Sequence, residues 1–286
     1  MYKRVDNIDA AKNYARYVRH RIVMKADGLT SGKGVALLEC RIAAERELES
    51  IMRNKRHGAA GKSIVIEEYM EGDEIGILTF SDGKTFRSLP TSQDHERIFE
   101  GNKGSNTKGM GTILQPTFEG LKMEGRKFVG MLFTEIMITS KGPKVIEYNA
   151  RFGDSETESA MMLLSEDTDL ADVLFNCTTE RVSDVKIDLR PGYSCNVVVT
   201  SAGYPLSYKT GQPITLGSCP EGVQILHART NRCSGKTLLT NGGRVFTVAA
   251  WEKTLQEAVD KAYEGVESIH FEHMFFRREP LEKFAN

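Results

Sequence analysis

Apolar and polar positions alternate along this chain in blocks whose period changes several times. From Asp9 to His20 the spacing is helical, with Ala10, Tyr14, Tyr17 and Val18 on one face. Residues 21–26 ("RIVMKA") and 35–40 ("VALLEC") read as strands, and 41–56 as a charged amphipathic helix. The run 62–70 ("KSIVIEEYM") is β-branched and predicts another strand. "EIGILTF" and "KTFRSL" flank Ser81-Asp82-Gly83, a hairpin signal. Residues 91–112 are polar and glycine-rich, too long for a plain connector and of the length that is functional or disordered. Two long strands then surround Ser140-Lys141-Gly142-Pro143, and "ETESAMMLLS" and "TDLADVLFNCTTE" read as helices.

The texture changes after residues 187–194, which places a domain boundary near Arg190-Pro191-Gly192. "CNVVVTSA", "VQILHA", "KTLLT" and "RVFTVAAW" are short strands, with Asn241-Gly242-Gly243 as a turn. A helix over 254–269 follows. Thr254 and Glu257 form a capping box, and Leu255, Val259, Ala262, Val266 and Ile269 form its apolar stripe.

Composition narrows the classes of function. The chain has 286 residues, 40% hydrophobic and 27% charged, with a formal net charge of -1. That is enough for one large core or two smaller ones, and it lacks the positive excess of a nucleic-acid binder. No apolar run approaches the roughly 20 residues of a membrane helix, and the charged N-terminus carries no signal-peptide pattern. Five scattered cysteines with no C-x-x-C fit a reduced, cytoplasmic setting without structural zinc.

Two short stretches carry candidate chemistry. In "VMKADGLTSGKGV" (23–35), Gly28, Gly32 and Gly34 let backbone N–H groups turn toward one point, and Lys25 and Lys33 add positive charge. Phosphate suits such a loop; a glycine-rich hairpin with solvated lysines satisfies the same residues. It is not a Walker A loop: three residues, not four, separate the first two glycines, and the loop joins two strands. In "KVIEYNARFGDSETE", Glu147 and Asn149 are two apart on a strand and so share a face. A carboxylate and an amide oxygen suit Mg²⁺ when phosphates complete the shell; a polar sheet edge is the plain alternative. Glu156 and Glu158 fit the acidic first turn of a helix. "IEEYMEGDE" (66–74) ends a strand at Glu67 and Glu68 and breaks at Gly72, either a hinge offering its backbone to a purine or an ordinary acidic turn.

Taken in order, "VMKADGLTSGKGV", "VIEEYMEGDE", "TSQDHERIFEG", "NTKGMG", "GPKVIEYNARFGDSETE", "SAGYP", "HA.T" at 227–230 and "TNGGRV" at 240–245 resemble the phosphoribosylamine–glycine ligase (glycinamide ribonucleotide synthetase) family of the ATP-grasp superfamily, nearly end to end. The resemblance implies an α+β ATP-grasp fold: a lid lobe over 1–70, a metal and substrate lobe over 71–190, together sandwiching ATP, and a small β-rich C-terminal domain over 191–286. It implies a cytoplasmic carbon–nitrogen ligase. Glycine's carboxylate attacks the γ-phosphate of ATP, and the amine of 5-phosphoribosylamine attacks the resulting glycyl phosphate.

By the same resemblance Lys25 reaches the nucleotide phosphates, and Gly28, Gly32, Lys33 and Gly34 close over them. Glu67, Glu68, Tyr69, Met70 and Glu74 hold the nucleoside. Glu147 and Asn149 hold Mg²⁺ or Mn²⁺. Gln93, Asp94, His95, Asn106, Thr107, Gly109 and Met110, with Arg151 and Asp154, line the glycine and phosphoribosylamine side.

The pattern also departs from the family. The N-terminal domain is missing from the chain, a gap that invites self-association or a partner chain, and the segment after "GMG" is short. Glu96, Ser105, Lys108, Glu135, Ser155 and Arg229 replace family residues, and Glu135 puts a carboxylate inside an apolar strand, where it needs a partner if buried. These departures sit on the substrate side. They imply that nucleotide and metal binding survive while ligation is weakened or lost. The alternatives are a paralogue that binds nucleotide without ligating, or a ligase for another amine and carboxylate.

Overall fold

In the computed structural model the described residues are 2–30, 34–38, 40–90, 92–93, 97–99, 103–106, 127–233 and 237–278. They fall into two compact units, Met1–Glu71 and Gly72–Asn286.

The first unit is a four-stranded antiparallel sheet in the spatial order Tyr2–Val5, Ile64–Glu68, Ile22–Ala26, Val35–Leu38. Alternation along Ile64–Glu68 buries Ile64 and Ile66, which meet Met24, Leu48 and Ile51 in the core. Helix Ile8–Tyr17 starts where the Asn7 side chain accepts the N–H groups of Asp9 and Ala10. Its buried residues are Ala11 and Ala15; of the predicted stripe, Tyr14 and Val18 pack against the same core, while Ala10 and Tyr17 are exposed. Two alanines four apart let this helix pack closely against helix Arg41–Leu48. The predicted helix over 41–56 is α-helical only over Arg41–Leu48 and continues as a wider π turn, Glu49–Arg53.

The second unit begins with a sheet in the order Gly142–Asn149, Val129–Thr139, Asp73–Asp82, Phe86–Ser88, with Ser92–Gln93 beside Asp73–Asp82. The predicted hairpin closes at Gly83, whose φ of +82° is left-handed. Asp82 there is buried and accepts the N–H groups of Lys84, Thr85 and, from far along the chain, Val182. Within the polar stretch 91–112, Arg97–Phe99 pairs antiparallel with Lys103–Asn106. Helices Glu156–Leu163 and Leu170–Thr178 contribute Ala160 and Val173 to a core with Ile77, Leu78, Phe80 and Phe133.

The same unit contains a second sheet, ordered Val223–His227, Arg244–Glu252, Tyr193–Ser201, Met274–Phe275, and a smaller one of Thr230–Arg232, Leu238–Thr240, Pro213–Leu216 and Ile269–His270. Helix Leu255–Glu267 covers the larger sheet with Ala258, Val259, Ala262 and Val266, and the capping box at Thr254 and Glu257 is present. Helix Glu156–Leu163 also touches that sheet: Asn196 Nδ2 donates to Ser155 O and to Ser159 Oγ, each at 2.7 Å. No helix among the described residues is long and apolar enough to cross a membrane.

Candidate functional site

In the first unit the candidate residues gather around the end of strand Ile22–Ala26. Lys25 points from this strand onto its neighbour, where its Nζ lies 2.9 Å from Glu67 Oε2. Both side chains are mostly buried, at 17% and 26% exposure, so Glu67 holds the ammonium in place. The loop that follows is anchored at both ends. Ala26 N–H donates to Gly34 O, and Asp27 accepts from Arg4 Nε at 2.6 Å and from Ser63 Oγ at 2.7 Å. Gly28 donates its N–H to Ala60 O, and a Cβ at Gly28 would come within 2.5 Å of Ala60 Cα, so only glycine fits. The loop does join two paired strands, Lys25 opposite Val35. Glu68, Tyr69 and Met70 are half-buried, and the Arg21 guanidinium lies 4.0 Å from the centre of the Tyr69 ring. Gly32 and Lys33 lie outside the described residues.

In the second unit the candidates gather on strands Val129–Thr139 and Gly142–Asn149. Glu135 stands directly opposite Glu147, and Ile146 is an extra residue that bulges the ladder beside them. Asn149 Nδ2 donates to Glu147 Oε1 at 2.9 Å and to Glu135 Oε1 at 3.3 Å. The expected same-face placement of Glu147 and Asn149 is therefore accompanied by a third oxygen-bearing side chain. Glu135, which needed a partner inside its apolar strand, finds Asn149. These are hard oxygen donors and fit Mg²⁺ or Mn²⁺. Among the described residues no group of three or more His, Cys, Asp or Glu side chains is placed to hold a metal ion.

Arg151 and Asp154 follow on the same segment. Arg151 lies over the Phe133 ring, 5.9 Å from its centre, and donates to Phe152 O. Asp154 is gripped by Arg244, with Nη1 to Oδ1 at 2.7 Å and Nη2 to Oδ2 at 2.5 Å. Glu74 is half-buried on strand Asp73–Asp82. Gln93 pairs with Ile75, and Asn106 with Arg97, through their strands. Asp94, His95, Thr107, Gly109 and Met110 lie outside the described residues.

Two residues were not singled out by sequence. Glu156, which fits a solvated first turn, is 2% exposed, and its Oε2 has no hydrogen-bond partner among the described residues. Burial pushes its carboxyl up to about 8; the charges of Glu135 and Asp154 add to the shift and Arg151 opposes it. Burial likewise raises Glu158. Nothing local marks Glu156. Its space comes from Gly76, where an added Cβ would come within 2.7 Å of the Phe133 ring and 3.4 Å of Glu156 Cγ. Arg244 belongs to "TNGGRV", a stretch recognisable in sequence without a role attached.

The profile of the phosphoribosylglycinamide synthetase ATP-grasp (A) domain matches residues 1–114 and 112–157, and that of the C domain of the same synthetase matches 194–279. The bifunctional purine biosynthetic protein ADE1 of Schizosaccharomyces pombe is 44% identical over 98% of this chain and 37% of its own length. A phosphoribosylamine–glycine ligase of Clostridium acetobutylicum is 36% identical over 97% of this chain and 70% of its own. This chain thus spans well under half of the fungal relative. The crystal structure of the Thermotoga maritima phosphoribosylamine–glycine ligase superposes with a TM-score of 0.81 at 29% identity, over 97% of this chain and 73% of that one. The biotin carboxylase domain of Hydrogenobacter thermophilus 2-oxoglutarate carboxylase, solved with MgADP, shares the fold at a TM-score of 0.68 and 15% identity, over 94% of this chain and 61% of that one.

Proposed function

Because the chain belongs to the phosphoribosylglycinamide synthetase family, we propose that it ligates glycine to 5-phosphoribosylamine at the expense of ATP. A glycine carboxylate oxygen bonds to the γ-phosphorus and ADP departs. The amine nitrogen then bonds to the acyl carbon of glycyl phosphate, phosphate departs, and one proton is released. The products are glycinamide ribonucleotide, ADP and phosphate.

The observation that carries this reading is the donor set on strand Gly142–Asn149, with Glu147 and Asn149 hydrogen-bonded on one face and Arg151 and Asp154 next along the chain. Glu147 and Asn149 hold Mg²⁺ or Mn²⁺, which neutralises phosphate charge when bound. Lys25, fixed by Glu67, neutralises the α- and β-phosphates. Gly28, Gly32, Lys33 and Gly34 cover the triphosphate and keep water from the acyl phosphate. Glu68, Tyr69, Met70 and Glu74 bind the nucleoside. Gln93, Asp94, His95, Asn106, Thr107, Gly109 and Met110 bind the two acceptors. The protein's contribution is positioning and charge neutralisation, as in other phosphoryl transfers.

The test is ADP release with each substrate alone and with both together. Release that requires both, with glycinamide ribonucleotide formed in equal amount, is the expected result. Release with neither acceptor, or only with a different amine, overturns it.

A further inference from the structure

We infer that Arg244 is a positioning residue for ligation: its guanidinium fork holds the Asp154 carboxylate at the angle from which Asp154 receives the ammonium group of glycine. The inference rests on the function proposed above, and it gives strand Arg244–Glu252, in the second sheet of its unit, a part in binding an acceptor.

The first observation is the pair itself. Arg244 Nη1 donates to Asp154 Oδ1 at 2.7 Å and Nη2 to Oδ2 at 2.5 Å, and Nη1 also approaches Asp154 O at 3.4 Å. Such a fork fixes the plane of a carboxylate as well as its place. A carboxylate has about four lone-pair sites, and the fork uses one on each oxygen. The others stay open to a ligand, since the Asp154 side chain is 52% exposed. Of the three acids from 154 to 158, Glu156 is buried and Glu158 half-buried, which makes Asp154 the accessible one. In the proposed reaction the carboxylate of glycine is committed to phosphorus. Recognition then falls to its ammonium, and a fixed anion is the matching group.

The second observation is how firmly Arg244 is itself placed, by three sequence motifs that the reaction gives no other part. Ser201 N–H donates to Gly243 O at 2.8 Å, and Ser201 Oγ to Gly242 O at 3.3 Å. Tyr204 and Tyr208 close over Gly243, where an added Cβ would stand 2.2 Å from Tyr204 Cδ2 and 3.0 Å from Tyr208 Cε1. Asn241 N–H donates to Arg229 O. The stretches "SAGYP", "HA.T" and "TNGGRV" thus meet at the residues just before Arg244. A partly exposed ion pair adds too little stability to account for such bracing; a carboxylate that must be aimed does account for it. Glu158 lies near the same pair: burial is the main cause that raises its carboxyl, the charge of Asp154 adds to the shift, and Arg244 opposes it. Loss of Arg244 therefore leaves Asp154 facing like charge.

The test is equilibrium dialysis of radiolabelled glycine against the whole chain, with Mg²⁺ and adenylyl imidodiphosphate, an ATP analogue that does not transfer its γ-phosphate, present throughout. The wild type is expected to bind glycine saturably. Arg244→Ala, and Arg244→Lys, which loses the fork, are each expected to weaken glycine binding about tenfold or more while the analogue binds as before. Asp154→Ala is expected to lose as much, and adding Arg244→Ala to it to lose nothing further. Circular dichroism melts confirm that each variant folds; should Arg244→Ala not fold, Arg244→Lys serves. Unchanged glycine affinity in the Arg244 variants, equal losses for glycine and the analogue, losses that add in the double variant, or no saturable glycine binding by the wild type each overturn the inference. If glycine binds through Asp154 and Arg244 but ADP release fails, the ligase reading falls and this one stands. If ligation proceeds while glycine affinity is indifferent to Arg244, the reverse holds.

Discussion

Arg244 and Asp154, 90 residues apart in sequence, are joined by a two-pronged ion pair at 2.7 Å and 2.5 Å. The pair ties the turn after strand Gly142–Asn149 to the start of strand Arg244–Glu252. Arg244 is 13% exposed at its side chain and Asp154 52%, so solvent screens the pair on one side. A double-mutant cycle with Arg244→Ala and Asp154→Ala is expected to give a coupling of about 1 kcal/mol in urea unfolding. Arg244→Lys loses the fork geometry and should behave like the alanine variant. A coupling indistinguishable from zero would mean that the pair does not hold the turn.

Asp82 couples folding to acid. Burial opposes its ionisation, but the N–H groups of Thr85, Lys84 and Val182 and the Thr85 hydroxyl outweigh it and hold the carboxyl at about 2, below its ordinary 3.8. A depressed folded pKa stabilises above the ordinary value, and that stability is lost as pH falls from 3.8 toward 2. The contribution at neutral pH is about 2 kcal/mol. Asp82→Ala is expected to cost about 3 kcal/mol, since Val182 N–H also loses its acceptor. Its unfolding free energy should vary less with pH than that of the wild type over this window.

Glu156 works in the opposite direction. Its folded pKa of about 8 lies above the ordinary 4.5, so its contribution is complete below 4.5 and is lost as pH rises toward 8. In EDTA the wild type should lose up to about 1.4 kcal/mol of stability per pH unit across this range. Glu156→Gln, neutral at every pH, should lack that slope. Parallel profiles for the two proteins would show that Glu156 stays ionised.

Nucleotide binding is read from thermal protection. At 100-fold excess of MgATP over its Kd, the wild type should gain about 2.7 kcal/mol. Lys25→Ala and Glu147→Ala are each expected to abolish most of that gain. Protection that survives both substitutions removes these residues from the phosphate and metal sites.

Gly265 sets helix propensity against packing. Alanine in a helix interior is favoured over glycine by about 1 kcal/mol. A Cβ at Gly265, however, would stand 2.5 Å from Val223 Cγ1 and 2.8 Å from Val248 Cγ1. Overpacking of this kind costs about 1–3 kcal/mol. Gly265→Ala should therefore lower the melting temperature; an increase would mean that helix Leu255–Glu267 can lift from its sheet.

Sequence was most informative where the physics is local. The capping box at Thr254 and Glu257 needs only three residues of helix, and the shared face of Glu147 and Asn149 needs only the two-residue strand repeat. It was silent where the cause lies far along the chain. Asp82 reads as a turn residue, yet it reaches Val182. Glu156 reads as a solvated acid, and its burial follows from the space left at Gly76. The partly shifted face of helix Ile8–Tyr17 has the same origin: periodicity gives a stripe that includes Tyr14 and Val18, and packing against helix Arg41–Leu48 selects Ala11 and Ala15 as its centre.

The bridge from Asn196 to Ser155 and Ser159 bears on how this chain can be divided. The interval between the two matched profiles, 158–193, invites a cut for separate expression of the two parts. Severing the chain there would part helix Glu156–Leu163 from its amide partner and leave the buried polar groups of Ser159 and Asn196 without each other. The stretch from Gly72 onward, one compact unit, is therefore best kept intact when the chain is divided.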